Sequence, residues 1–273
     1  MLETAVSKLF VYPIKSMGAV EVDTLHFGEF GPHSDRQYML VNEKGRFVTQ
    51  RSHPILSQFH LTRETLGWRV RFGRDSLLIA DDSTTDKAVA TKVWKAPINA
   101  REKSREASLW FSDHLDEWVM LVEMDDLERR TALVDDRPAP LSFADGYPLL
   151  ICNEQSLSAL ASTVNQPLEM RRFRPNVVVS IPADAEYGLV RLSIPGSGGY
   201  LALAKPCERC NIPAIDPNTG VFSKPLHDQF AGALQRDGKV IFGVNAAPFG
   251  LSQLSVGDTL VGQSAAEQGN GSV

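Results

Sequence analysis

The stretch Trp68-Arg69-Val70-Arg71-Phe72-Gly73-Arg74-Asp75-Ser76-Leu77-Leu78-Ile79 carries the fold in miniature. Trp68, Val70 and Phe72 alternate with Arg69 and Arg71, the two-residue period of a strand with one face buried and one in water. Gly73-Arg74-Asp75 is turn chemistry, and Leu77-Leu78-Ile79 is the returning strand. The same pattern extends to either side. Val6 to Ile14 is an apolar run broken at Pro13. Val20 and Val22 alternate with Glu21 and Asp23, and Gly28 and Gly31-Pro32 punctuate the chain after them. Gln37 to Val41 and Arg46 to Thr49 flank Asn42-Glu43-Lys44-Gly45, a hairpin turn. The first hundred or so residues therefore read as antiparallel strands curled into a barrel.

Helices enter further along. Ala107, Phe111 and Leu115, with Trp110 beside them, form one face of a short helix. Val119 to Val122 reads as a strand. Residues 125–140 are charged and proline-containing and read as a loop. Leu149 to Cys152 is a short buried strand, and Asn153 is placed to cap a helix whose apolar face is Leu157, Leu160, Ala161 and Val164. Asn176 to Ile181 is a Val-rich strand. Val190, Leu192 and Ile194 alternate with Arg191 and Ser193, and Gly196-Ser197-Gly198-Gly199 turns the chain back along Tyr200 to Ala204. Leu226, Phe230 and Leu234 mark another short helix, and Val240 to Val244 another strand. The fold class is mostly β (α+β), with a few short helices and no internal repeat.

The chain has 273 residues, 43% hydrophobic and 22% charged, and a net charge of −5. It is long enough for a sizeable core. Its acidic balance argues against a nucleic-acid polymer as partner. No apolar run reaches the length of a membrane span. Three cysteines, an odd number, make a disulfide framework a poor reading. With no secretory leader at the N-terminus, a cytoplasmic location is expected.

The chemistry gathers around Lys205-Pro206-Cys207-Glu208-Arg209-Cys210-Asn211-Ile212-Pro213. Zinc would need a second pair of ligands, and the six histidines are scattered. A thioredoxin-like pair would open a helix, which Pro213 and Pro217 oppose. Two inert cysteines and a functional thiolate stay open as readings; Lys205 and Arg209 favour the thiolate, the form that binds a soft metal. Other candidates are Arg171-Arg172-Phe173-Arg174, which could grip a phosphate or be a solvated edge, and the weaker Lys15-Ser16 and Asp35-Arg36. Phe143-Ala144-Asp145-Gly146-Tyr147-Pro148 and the helix start at Asn153-Glu154-Gln155-Ser156 offer backbone N–H groups to an anion, or are ordinary turn and cap. No Gly-x-Gly-x-x-Gly, Walker-A or four-cysteine pattern supplies a flavin, nicotinamide or iron–sulfur site.

Taken in order, Tyr12-Pro13-Ile14-Lys15-Ser16, Ser34-Asp35-Arg36, Phe143 to Pro148, Asn153 to Leu157, Phe173-Arg174-Pro175-Asn176 and Lys205 to Cys210 resemble the motifs of MOSC-domain proteins, the domain shared with the C-terminus of molybdenum cofactor sulfurase. Phe242-Gly243-Val244-Asn245 and Val256-Gly257-Asp258 fit too. The likeness spans about residues 4–262 and is nearest to bacterial relatives of the mitochondrial amidoxime-reducing component. It implies an N-terminal MOSC β-barrel domain over residues 4–125, interlocked with a β-barrel MOSC domain over 126–262; by composition, the Gly/Ser/Ala/Gln-rich residues 263–273 read as a disordered tail. The resemblance further implies a molybdenum–molybdopterin cofactor, with molybdenum held by the pterin dithiolene and by Cys210, the metal ligand and catalytic residue. Cys207 would be a neighbour. Lys15, Ser16, Arg36, Gly146, Tyr147, Arg174 and Asn176 match positions that hold the pterin and its phosphate, Gly146 and Tyr147 through backbone contacts at most.

The implied activity is reduction of small N-hydroxylated compounds: hydroxylamines, N-hydroxylated bases and amidoximes. The alternative is a non-catalytic carrier of molybdenum cofactor or of activated sulfur. The family also carries a general association with pyridoxal phosphate. Some bacterial relatives have a C-terminal ferredoxin domain; this chain ends without one, so a separate flavin, haem or iron–sulfur electron donor is expected. Pro213-Ala214 stands where the mitochondrial proteins have Thr-Thr. Asp216 is a candidate to tune or protonate near the metal, set against a turn-forming role.

Overall fold

The computed structural model describes residues 2–125 and 130–265. Its centre is a closed barrel of seven strands: β1 (Leu2–Val11), β2 (Leu149–Asn153), β3 (Val177–Val179), β4 (Leu189–Ser193), β5 (Tyr200–Glu208), β6 (Lys239–Phe249) and β7 (Thr259–Ser264). Around the ring the order is β2-β3-β1-β7-β4-β5-β6, and the pairing of Leu149 with Ala246 returns β6 to β2. Only β2 and β3 pair in parallel, in the register Ile151 to Val177. A parallel neighbour needs a crossover, and helix α2 (Glu154–Thr163) supplies it.

Strand β1 gives the structure its interlocked character. It lies far from the other six strands in sequence, yet sits between β3 and β7, pairing Leu9 with Val177 and Thr4 with Leu260. Its side chains alternate between two cores, as strand geometry requires. Leu9 and Val11 enter the main core with Val177, Val179, Leu149 and Ile151. Phe10 and Tyr12 pack on the outer side with Val178, Leu150 and Cys152. Being buried on both faces explains the unbroken apolar runs at Leu9 to Val11 and Val177 to Val179. The main core also takes in Trp68 from another strand, Phe59 from the end of a 3-10 turn and Phe111 from a helix. Each such side chain contributes roughly 1.5–3 kcal/mol on leaving water.

The remaining strands form small antiparallel sheets against the barrel. Tyr38–Asn42, Val119–Met124, Ala96–Glu102 and Ala88–Val93 make one of them; His60–Glu64, Gly67–Phe72 and Asp75–Ala80 make another. The hairpin through Gly73 is as the alternation predicts. Arg46 to Thr49, expected as a strand, makes only isolated bridges. Helix α1 (Arg105–Leu115) buries Ala107, Phe111 and Leu115, and Asn153 caps α2 by accepting from the Gln155 N–H. Helix α3 (Lys224–Ala233) buries Leu226 and Phe230.

Two further expectations are corrected. Within residues 125–140, read as a loop, Arg130–Val134 and Arg137–Leu141 form a hairpin. Its turn residues Asp135 and Asp136 both take left-handed φ, 53° and 56°, the two-residue turn that suits strand twist. The expected tail over 263–273 lies outside the described residues from 266 onward, and Gln263 and Ser264 belong to β7. Among the described residues, no helix is long and apolar enough to cross a membrane.

Candidate functional site

Chain segments converge at one end of the barrel. Past β1 the chain stays buried through Tyr12, Ile14, Lys15 and Ser16. Ile14 bridges to Tyr38, and the Lys15 N–H donates to the Tyr38 carbonyl at 2.8 Å. Ser16, Ser34, Arg36 and Arg174 take left-handed φ of 71°, 62°, 47° and 57°. Four non-glycine residues in that region concentrate local strain here, as binding sites often do. Together with residues 144–150 and 207–212 these segments enclose a cleft of about 470 Å³. It is lined by Lys15, Ser16, Arg36, Gly146, Tyr147, Arg174, Asn176 and Cys210, so the fold brings together the residues that the family resemblance assigns to the cofactor and metal.

The cations are held with different degrees of commitment. The guanidinium carbons of Arg36 and Arg174 lie 4.3 and 4.2 Å from the centre of the buried Tyr12 ring. Arg36 Nη1 donates to Asp35 Oδ2 at 2.6 Å and to Asn176 Oδ1 at 3.1 Å, and Nη2 to the Arg174 carbonyl at 3.2 Å. Asp35 also accepts the Tyr12 N–H at 2.9 Å. Asn176 is spent on the protein: its Oδ1 accepts from the Leu150 N–H and its Nδ2 donates to the Phe10 carbonyl. Its side chain therefore positions Arg36 and ties it to the barrel strands.

Arg174 differs. Its Nη1 donates to the Met17 carbonyl at 2.6 Å, and no carboxylate pairs with it among the described residues. Burial, then Arg36, pull its pKa down to about 10, which leaves it charged at neutral pH. Lys15 is also buried and donates to the Phe143 carbonyl at 2.8 Å and to Asp145 Oδ1 at 2.7 Å. Burial lowers its pKa while Asp145 opposes. For Asp145 desolvation works upward, but Lys15, Arg36 and the Trp94 N–H together outweigh it and hold the carboxyl well below the usual range.

The thiols lie across the cleft. Register slips between β5 and β6 at Leu203/Lys205 and Pro206/Glu208 twist the end of β5, which carries Cys207; Cys210 follows it. Arg209 Nη1 donates to Cys207 Sγ at 3.1 Å, and Nη2 to the Phe173 carbonyl at 2.8 Å. So the arginine beside the second cysteine serves the first. Cys210 is exposed and has no hydrogen-bond partner among the described residues. Cys152 is buried, and burial pushes its thiol up, which makes it inert. Among the described residues no group of three His, Cys, Asp or Glu side chains converges, so a protein-only zinc site has no donor set.

Several expected contributors go elsewhere. Arg171 pairs with Glu169, and Arg172 with Asp216 at 2.8 Å. Asp216 also accepts the N–H groups of Asn218 and Thr219 and does not line the cleft, so it forms a turn and protonates nothing there. The α2 N-terminus is occupied by the protein itself: buried Glu186 accepts from Asn153 Nδ2 at 2.9 Å and Ser156 Oγ at 2.7 Å. Sequence reasoning missed Thr49, Arg51, Trp94 and the carboxylate of Asp145 as cleft residues. The Asp145-Gly146 turn contained the signal for one of them.

The donor set fits a phosphorylated cofactor with a soft metal. One end offers an acid-free guanidinium beside further cations, and the cleft also carries an exposed thiol with no protein partner. A Cβ built on Gly146 meets nothing within 4 Å, so the backbone there lies open to a ligand.

Comparison with known proteins identifies the family. The MOSC N-terminal beta barrel domain matches residues 3–117, and the MOSC domain matches residues 138–261. Mitochondrial amidoxime-reducing component 1 of Danio rerio is 30% identical over 236 residues, covering 80% of this chain and 71% of that protein. The Homo sapiens protein of the same name is 29% identical over 232 residues, with 80% and 68% covered. Molybdenum cofactor sulfurase of Danio rerio is 27% identical over 271 residues, covering 88% of this chain and 31% of that protein.

Proposed function

From a chain that belongs to the MOSC-domain family, with its N-terminal β-barrel region, we propose a molybdenum–pterin-dependent reductase of small N-hydroxylated compounds, fed by a separate electron donor. The observation that carries this reading is the pairing, in one cleft, of the acid-free Arg174 guanidinium with the unpartnered Cys210 thiol. The names of the amidoxime-reducing relatives support the substrate class.

Arg174, Arg36 and Lys15 hold the cofactor phosphate, and the open backbone at Gly146 and Tyr147 contributes N–H groups. Arg36 is held in place by Asp35 and Asn176, Lys15 by Asp145. Cys210 binds the metal as thiolate. Cys207 stays a neighbour because Arg209 already claims its sulfur. When bound, the cofactor supplies two electrons, which with two protons convert N–OH to N–H and release water. Cys210→Ser is expected to abolish reduction of a hydroxylaminopurine driven by reduced benzyl viologen. Cys207→Ser retains at least part of it. Full molybdenum loading of the native chain with no turnover of any N-hydroxylated compound would sink the reductase reading.

A second reading, a carrier of cofactor or sulfur, draws on the sulfurase relative and on the Arg209–Cys207 contact, which favours a thiolate. It predicts a persulfide on Cys207 or Cys210, seen as one added sulfur in the intact mass. It also predicts rapid handover of bound cofactor to an apo-enzyme.

A further inference from the structure

Trp94 occupies a costly position. It is a turn residue of the two-residue hairpin between Ala88–Val93 and Ala96–Glu102, where Val93 pairs with Ala96. Its φ is 56°, a conformation that such turns normally give to glycine or asparagine and that a bulky side chain rarely takes. Yet its side chain is neither buried nor loose. It lines the cleft with 47% of the residue exposed. Its Nε1–H donates to Asp145 Oδ1 at 3.0 Å, the oxygen that also accepts from Lys15 Nζ. The Arg51 guanidinium carbon lies 4.5 Å from the Trp94 ring centre, and Phe47 meets the ring edge-on at 5.5 Å. Arg51 lines the cleft too and has no carboxylate partner among the described residues. Of the large exposed apolar side chains among the described residues, Trp94 is the one in the cleft.

An indole fixed at its N–H, stiffened by a cation and an aromatic edge, and still half in water offers a flat π surface. Such a surface gains by stacking a conjugated ring, and a guanidinium beside it adds cation–π and planar contacts. We propose that Trp94 and Arg51 form a stacking platform for flat heteroaromatic rings at the cleft mouth. The platform sets the site's preference for ring-bearing N-hydroxylated compounds over aliphatic ones. The second half of this proposal rests on the reductase reading; the first does not.

The test uses 6-hydroxylaminopurine as the ring probe and acetohydroxamic acid as the aliphatic one. With the cofactor-free full chain, the purine is expected to quench tryptophan fluorescence saturably, and the hydroxamic acid is not. Trp94→Leu weakens purine binding about tenfold or more, the scale of one lost base-stacking contact. Trp94→Phe keeps a ring without the N–H and stays within about threefold of native affinity by calorimetry, with the quench gone. In the loaded enzyme, Trp94→Leu and Arg51→Gln both lower the ratio of purine to hydroxamate kcat/KM. Thermal melts matching the native chain confirm folding of the variants. Native purine affinity in Trp94→Leu overturns the platform. So does an unchanged kcat/KM ratio accompanied by a fall in pterin content, which would make Trp94 a cofactor contact. If the loaded native enzyme turns over neither probe, the reductase reading fails while the binding result still decides the platform.

Discussion

Two places in this molecule look alike in sequence as sites for an anion: the N-terminus of α2 and the cluster ending in Arg174. The structure treats them in opposite ways. At α2 the chain supplies its own carboxylate, Glu186, buried and bonded to Asn153 and Ser156. At Arg174 it supplies a half-buried guanidinium that no carboxylate ion-pairs among the described residues. A partly desolvated charge without an ion-pair partner carries a desolvation cost that the paired arginines offset. The same contrast separates the neighbours Arg171 and Arg172, each tied to an acid, from Arg174. Three arginines in four residues thus divide into two that hold loops and one that lines the cleft without an ion-pair partner among the described residues.

The largest expected effect breaks the closed member of the pair. Glu186→Ala leaves Asn153 and Ser156 buried without their acceptor and should cost about 3 kcal/mol in urea unfolding. Affinity for inorganic phosphate should not change. Arg174→Gln should do the reverse: stability within about 1 kcal/mol of native, and phosphate affinity down about tenfold in calorimetry. Equal destabilisation by both variants would dissolve the contrast. A smaller effect concerns pH. The Asp145 carboxyl is held below its unfolded pKa, so its contribution is present above the ordinary carboxylate range and fades as pH falls through and below it. The gap in Tm between the native chain and Asp145→Asn should therefore shrink from pH 7 to pH 3; a constant or growing gap would deny the Lys15–Asp145 interaction that role.

How much of this was legible in the sequence varies by element. The hairpin through Gly73 and the cap at Asn153 follow from local pattern, because the residues that decide them are adjacent. Lys15, Arg36, Arg174, Asn176 and Cys210 were legible as ordered motifs, and the cleft brings them together. Three things were not. The place of β1 in the barrel depends on partners such as Val177 and Leu260, far along the chain, and nothing local announces them. The hairpin at Arg130–Val134 was hidden by charge and proline, although Asp135-Asp136 is a recognisable tight turn. Glu186 and Trp94 gave no signal, since each matters only through side chains that the fold carries to it.

The proposed function turns on whether the cleft between Arg174 and Cys210 holds a phosphorylated pterin and its molybdenum. Molybdenum and pterin content per chain, for protein made in a host supplied with molybdate, decides it. Close to one of each is expected in the native chain, with marked loss of pterin in Arg174→Gln. Native protein carrying neither, from cells whose other molybdenum enzymes are fully loaded, would refute the assignment.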